Sequence, residues 1–172
     1  MVALVGSLVA GTFLFAGSES FAATGGIPRC HTGDLRASLG RFGVGLGNAT
    51  TEVSLRNRSD HQCFVYGYPG IGLEDSRHHE QRSRLTWSVT YFQLDPRPHL
   101  IVLSPGRRAY SNLAWSENPG PGENVRGPCE PVSVWLEVTP PDEREHLLAR
   151  FGQHICAHGR LFATALSSKP RM

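Results

Sequence analysis

Four cysteines are the residues of this 172-residue chain whose spacing points most directly to chemistry. They are Cys30, Cys63, Cys129 and Cys156. An even number of cysteines favours disulfide bonds in a chain that leaves the reducing cytosol. Of the three possible pairings we prefer Cys30 with Cys63 and Cys129 with Cys156, because each pair joins neighbouring segments within one half of the chain. Each bond would close a loop of about thirty residues and stabilise the fold by about 3 to 4 kcal/mol.

A metal site is the alternative chemistry for Cys156, which lies between His154 and His158 in the sequence. On a β-strand these three alternate side chains would share one face and could bind one metal ion. No CxxC or HExxH motif accompanies them, and an exported cysteine with a distant partner is more often oxidised. We therefore expect a disulfide at Cys156 and keep His154 and His158 as weaker metal candidates.

A second metal candidate is the pair His78 and His79, which lies beside Glu80 in the charged segment 75–84. Together with Glu74, these histidines could form a metal-binding or pH-sensing loop. No third ligand is fixed at a spacing typical of metal sites, so an exposed polar loop is the preferred prediction. We expect no cofactor.

Trp135 is the candidate binding residue among the aromatic side chains. Its neighbours Val134 and Leu136 mark the buried face of a strand, so Trp135 is expected to point outward, where a large aromatic side chain can mark an interface. Other aromatic residues, such as Trp87 and Trp115, are expected to pack in the core or on a sheet. The sequence has no GxSxG, GxxxxGK[ST] or GxGxxG motif, and we therefore assign no catalytic residue.

The first 22 residues are predicted to be a secretory signal peptide. Residues 1–16 carry no charged side chain, and the small residues Ser20 and Ala22 occupy the −3 and −1 positions of a cut after Ala22. A membrane-spanning helix needs about 20 apolar residues, so an uncleaved anchor is the less favoured alternative. The mature chain would begin at Ala23 and carry no transmembrane span.

Length, charge and composition restrict the class of protein. The length fits one globular domain, and 17 basic residues against 15 acidic ones lack the strongly basic surface of a nucleic-acid-binding protein. The 19 glycines and 12 prolines indicate many turns and few long helices.

Alternating apolar and polar residues predict a series of short strands, of which 132–138 is the clearest. The other predicted strands are 34–41, 50–57, 63–68, 71–74, 85–93, 100–103, 109–115 and 160–166. Residues 142–151 are expected to form a helical turn or two, and residues 116–128 the longest loop. Many short strands with at most one helix indicate an antiparallel β-sandwich.

The order of several short motifs resembles the actinobacterial secreted proteins that are grouped as domain of unknown function 4232. The residues that carry this resemblance are Cys30, Leu55-Arg56-Asn57, Cys63, Gly67-Tyr68-Pro69-Gly70, Leu103-Ser104-Pro105-Gly106, Ala109, Tyr110, Leu113, Trp115, Cys129, Val138-Thr139-Pro140-Pro141 and Cys156. The resemblance implies an immunoglobulin-like β-sandwich with two disulfides, exported to the cell envelope or the medium. It implies no catalytic residues.

We therefore expect a signal peptide (1–22), a short linker (23–29), a β-sandwich domain (30–166) and a flexible tail (167–172). The expected function is that of a secreted or envelope-associated binding or interaction module without enzymatic activity. Candidate partners are an envelope protein, a peptide or a glycan, and no nucleic acid is expected. The alternative is a small secreted metal-binding protein or enzyme that uses the histidine-containing loops.

Overall fold

The computed structural model describes residues 26–170, which form eleven β-strands and two short helical turns. In chain order the strands are β1 (Leu35–Gly45), β2 (Asn48–Asn57), β3 (Cys63–Tyr66), β4 (Gly70–Glu74), β5 (Glu80–Gln81), β6 (Arg84–Trp87), β7 (Leu100–Leu103), β8 (Arg108–Ser116), β9 (Val132–Thr139), β10 (Leu147–His154) and β11 (Arg160–Ala163). A 3₁₀ turn (Thr32–Asp34) precedes β1, and the short helix α1 (Cys156–Gly159) separates β10 from β11. No helix in this part of the chain is long and apolar enough to cross a membrane. The predicted signal peptide lies outside the described residues.

The strands form two large sheets and a two-stranded ribbon. The first sheet has the strand order β1-β2-β8-β11-β6, the second has the order β10-β9-β4-β5, and β3 pairs with β7 in the ribbon. Neighbouring strands are antiparallel except β11 and β6, which run parallel. This architecture confirms the predicted all-β, immunoglobulin-like sandwich with at most one short helix.

The core contains side chains from both large sheets, because alternate residues of each strand point inward. Strand β9 buries Leu136 and Val138 in this way. Trp115 of β8 is fully buried, and its ring contacts those of Phe42 in β1 and Phe151 in β10 edge-on, at centroid distances of 6.1 and 5.1 Å. Because β8 belongs to the first sheet and β10 to the second, this aromatic cluster packs across the sandwich.

Two disulfides join segments that the strands alone would leave separate. Cys30 bonds to Cys63 at the start of β3, and Cys129 bonds to Cys156 at the start of α1. The preferred pairing of the cysteines is therefore confirmed. The second disulfide fixes the long loop before β9 to the turn that follows β10.

The predicted strand at 85–93 is wrong beyond Trp87. After β6 the chain leaves the sheet as a loop, residues 88–99, in which the Thr90 hydroxyl accepts the backbone N–H of Gln93 and bonds to Asn112 of β8. These local hydrogen bonds replace the pairing that a longer strand would need. Trp87, expected to pack in the core or on a sheet, lies on the sheet at the end of β6, where it is exposed and its ring stacks on that of Tyr68.

The helical turn expected within 142–151 is also wrong, because that segment ends in strand β10. Leu147 and Phe151 fit helical spacing and also strand alternation, whereas the adjacent Leu148 fits only the helix. Pairing with β9 decides between the two, since it buries Ala149 and Phe151 on the core side while Leu148 and Arg150 face outward.

The segment before β1 is fixed to the turn before β10 by the carboxylate of Glu143. This carboxylate accepts hydrogen bonds from the backbone N–H and the hydroxyl of Thr32, and it contacts His31 and Arg29. The Thr32 backbone N–H, assisted by the side chains of His31, Thr32 and Arg29, holds the pKa of Glu143 below its ordinary value.

We predict that Glu143→Gln lowers the free energy of unfolding at pH 7 by about 1–2 kcal/mol, because the charged hydrogen bonds are lost. The folded-state pKa of Glu143 is depressed, so its stabilisation is complete above the ordinary glutamate pKa of about 4.3 and is lost as pH falls through the folded-state value. Urea unfolding at pH 7 and pH 3 should therefore show a difference between the two proteins that shrinks at low pH. Glu145→Gln, which changes an exposed carboxylate in the same turn, is the matched control. A difference that is the same at both pH values would contradict this account.

Candidate functional site

The outer face of the second sheet, defined as the side chains of β4, β5, β9 and β10 that point away from the core, holds the strongest concentration of ionisable groups. Antiparallel pairing of β4 with β9 sets Gly72 opposite Glu137 and Glu74 opposite Trp135. Since side chains alternate, these four residues share the outer face, while Leu73 between them points into the core.

Glu74 and Glu137 bring two carboxyl groups together on this face. The Glu74 side chain is only 8% exposed, and Glu137 is hydrogen-bonded to it. Space for this contact comes from Gly72, because a Cβ atom at that position would overlap the Glu137 carboxylate. Two carboxyl groups at hydrogen-bond distance must share a proton or a cation to offset the repulsion between their charges.

The pKa values of the two carboxyl groups are driven apart. Burial raises the pKa of Glu137, and so does the hydrogen bond to the neighbouring Glu74 carboxylate. Burial also acts to raise the pKa of Glu74, but hydrogen bonds from Glu137 and His78 outweigh it, so that this pKa lies below its ordinary value. Glu74 is therefore the stronger acid of the pair and Glu137 the weaker one.

Two histidines from different loops complete what we call the Glu74 cluster: Glu74, Glu137, His78 and His146. His78 Nδ1 lies 2.7 Å from Glu74 Oε2, in a turn that follows β4. His146, at the residue before β10, places Nε2 3.8 Å from Glu74 Oε1 and 3.9 Å from Glu137 Oε1. Glu74, Glu137 and His146 thus each present a donor atom to one shared point, within 4.8 Å of one another.

Trp135 borders the Glu74 cluster on the same face. Its ring stacks on the His78 imidazole, with centroids 5.3 Å apart and planes inclined by 20°. The Arg150 guanidinium lies 5.7 Å from the centroid of the Trp135 ring, within the range of a cation–π interaction. The Trp135 Nε1–H is buried and finds no acceptor among residues 26–170. The Trp115 Nε1–H and the Gln81 Oε1 atom are likewise buried without a partner in this part of the chain. Trp115 lies in the core, whereas Trp135 lies on the outer face, where a bound molecule can supply the acceptor.

A second group of potential metal ligands comprises Glu123, Glu130 and His158. The Glu123 carboxylate, however, has a structural role. Ala157 and His158 adopt positive φ angles in α1, and the buried Glu123 carboxylate accepts the backbone N–H groups of both residues and of Gly120. Burial acts to raise the pKa of Glu123, yet these backbone donors outweigh it and leave the pKa below its ordinary value. Through these hydrogen bonds Glu123 joins the loop before β9 to the left-handed turn at Ala157 and His158.

The alternative ligand set His154, Cys156 and His158 is not brought together by the same turn. Strand β10 ends at His154, so the three side chains do not alternate along one strand. The Cys156 sulfur is used in a disulfide, His154 Nδ1 contacts the Glu130 carbonyl oxygen, and His158 Nε2 contacts the carbonyl oxygen of Pro121. His154 and His158 are thus separated by a change of chain direction.

The charged segment 75–84, predicted to be an exposed loop, contains strand β5 and the first residue of β6, and its two histidines lie in different environments. His78 enters the Glu74 cluster, whereas His79 is 70% exposed and contacts only Asp75 within the described range. The structure thus brings together His78 and Trp135, which the sequence offered as separate candidates. Sequence reasoning missed Glu137 and His146 as members of the site. The outward position of Glu137 beside Trp135 was a signal for the first, but the expected helix at 142–151 concealed the second.

Comparison with protein-family models places the sequence in a known family. The model described as domain of unknown function (DUF4232) matches residues 30–167. The chain belongs to this family. No curated protein and no solved structure matches the chain. The function of this DUF4232 domain must therefore be inferred from the geometry of its own residues.

A substitution on β4 tests the arrangement of the carboxyl pair without changing any charge. We predict that Gly72→Ala displaces the Glu137 carboxylate, because the new methyl group occupies its space. The pKa of Glu137 should then fall and that of Glu74 should rise, because the hydrogen bond between the two groups is lost. Carbon-13 NMR titration of the glutamate carboxyl groups measures both values, and Gly33→Ala, where nothing lies within 4 Å of the added atom, is the control. Unchanged titration of Glu137 in Gly72→Ala would contradict the proposed contact.

Proposed function

We propose that this DUF4232 domain is exported and acts as a non-enzymatic binding module of the cell envelope or the surrounding medium. The source we infer is actinobacterial, because the motifs at Cys30, Cys63, Cys129 and Cys156 resemble those of secreted proteins from these bacteria. The two disulfides are compatible with an oxidising compartment. The apolar segment at the amino terminus, with its small residues before Ala23, supports cleavage by a signal peptidase.

The binding surface that we propose is the outer face of the second sheet around Trp135. The observation that carries this proposal is the buried Trp135 Nε1–H, which lacks an acceptor among the described residues. An indole with a free donor, a stacked imidazole and a nearby guanidinium offers apolar contact and hydrogen bonding in one place. Such a combination suits a peptide or a glycan, both of which present carbonyl or hydroxyl oxygens.

The chemistry of the neighbouring carboxylates also supports binding without catalysis. Glu123 and Glu143 use their oxygens on backbone N–H groups, and so they anchor loops. Glu74 is buried and engaged by His78 and Glu137. Glu123 and Glu143 are thus used to hold loops in place, whereas Glu74 keeps its second oxygen, Oε1, near His146 on the outer face.

Export is tested by producing the full chain in a bacterial host with a secretion pathway and sequencing the amino terminus of the mature product. We expect the product outside the cytoplasm, beginning at Ala23 and containing two disulfides by mass spectrometry under non-reducing conditions. The variant Ala22→Leu, which places a bulky residue at the cleavage position, should block processing. A full-length cytoplasmic product with four free thiols would contradict export.

The binding face is tested by two-dimensional NMR, in which the three tryptophans give three indole N–H signals. On addition of soluble peptidoglycan fragments or of short envelope-derived peptides, we expect the Trp135 indole signal to shift most, because its donor acquires an acceptor. Trp135→Phe keeps an aromatic ring without the donor and should weaken binding at least about tenfold, a loss typical of an unmade hydrogen bond in a buried site. Trp87→Phe, which changes an exposed tryptophan elsewhere, is the control. A shift of the Trp87 signal alone, or no shift with either class of probe, would contradict the proposed face.

A further inference from the structure

We propose that Glu74, Glu137 and His146 form a binding site for a divalent transition-metal ion, with Zn²⁺ as the metal that fits best. The three residues come from β4, β9 and the turn before β10, so only the folded sheet brings them together. This inference deepens the proposed binding function and rests on it, because the metal would occupy the same outer face.

The distances between the donor atoms fit a metal site that closes slightly on binding. His146 Nε2 lies 3.8 Å from Glu74 Oε1 and 3.9 Å from Glu137 Oε1. Tetrahedral zinc with bonds of about 2.1 Å requires donor atoms about 3.4 Å apart. A movement of about half an ångström by the partly exposed His146 would therefore bring both of its distances to the value that tetrahedral zinc requires.

The surroundings hold the donor atoms ready for a cation. His78 occupies Oε2 of Glu74, which leaves Oε1 directed towards His146. Carboxylates that bind a metal are often hydrogen-bonded through their second oxygen by another side chain, as Glu74 is here by His78. Gly72 leaves room for the Glu137 carboxylate to lie against Glu74. A divalent ion between the two carboxylates would offset the repulsion between their charges.

The second group of potential ligands shows by contrast what distinguishes this site. Glu123, Glu130 and His158 also lie within 4.8 Å of one another. The Glu123 oxygens, however, accept three backbone N–H groups, which would have to be abandoned for a metal. Neither Glu74 nor Glu137 accepts a backbone N–H in the described part of the chain, so their lone pairs can be used without unfolding a loop.

The donor types decide the class of metal. One imidazole nitrogen and two carboxylate oxygens suit zinc and its neighbours in the first transition series better than Ca²⁺ or Mg²⁺, which prefer oxygen ligands alone. Three protein ligands leave a fourth tetrahedral position, which water or an oxygen of the bound partner would complete. The metal would in that way link the Glu74 cluster to the partner that contacts Trp135.

The test uses the full chain after export and oxidation, stripped of metal with a chelator. Isothermal titration with Zn²⁺ and native mass spectrometry should show one ion per chain. We expect His146→Ala and Gly72→Ala each to weaken zinc binding at least about tenfold, the first by removing a ligand and the second by displacing Glu137. Circular dichroism of each variant confirms that the fold is retained, and Gly72→Ala keeps every ligand and charge, so the two variants test the site independently.

Two histidine variants serve as controls. His79→Ala removes an exposed imidazole from the same loop as His78, and His158→Ala removes the imidazole of the second group. Both should bind zinc within about twofold of the unchanged chain.

Absence of zinc binding, binding that survives both His146→Ala and Gly72→Ala, or loss only in His158→Ala would each overturn the proposal. Zinc binding without any response of the Trp135 indole signal to peptidoglycan fragments or peptides would support the metal site and contradict the proposed function. A response of the Trp135 signal without zinc binding would support the proposed function and contradict the metal site.

Discussion

The antiparallel pairing of β4 with β9 is the constraint on which the outer face depends. This register sets Gly72 opposite Glu137 and Glu74 opposite Trp135, and it simultaneously turns Leu73 and Leu136 into the core. A slip of one residue would bury the carboxyl groups and expose the leucines, so the hydrophobic effect that fixes the core also fixes the charged cluster. The arrangement of the ionisable groups is thus a consequence of the packing beneath it.

Carboxylates have two different roles in this domain, and their hydrogen-bond partners distinguish them. Glu123 and Glu143 accept backbone N–H groups and so hold the loops on which they lie in place. Glu123 does so beside the Cys129–Cys156 disulfide. Glu74 and Glu137 face each other and two imidazoles instead. Backbone donors satisfy a carboxylate permanently, whereas a shared proton can be exchanged for a cation. This difference separates the loops that are anchored from the face that can bind.

The sequence predicted what depends on local pattern and failed where tertiary contacts decide. Alternation in 132–138 predicted β9 and the outward side of Trp135, and the proximity of the cysteines predicted both disulfides. Leu147 and Phe151 of β10 fit both helical and strand spacing, so the pattern did not reveal His146 as a neighbour of β9. Positive φ angles at Ala157 and His158 follow from backbone bonds to Glu123, and no propensity of alanine indicates them.

The central claim is that Glu74, Glu137 and His146 present their donor atoms to one point where a metal ion binds. X-ray diffraction from crystals of the oxidised chain soaked in zinc, recorded at the zinc absorption edge, tests this claim most directly. The account predicts one strong anomalous peak about 2.0–2.2 Å from Glu74 Oε1, Glu137 Oε1 and His146 Nε2. A peak only at His158, or a structure in which these three side chains lie too far apart to share an ion, would contradict it.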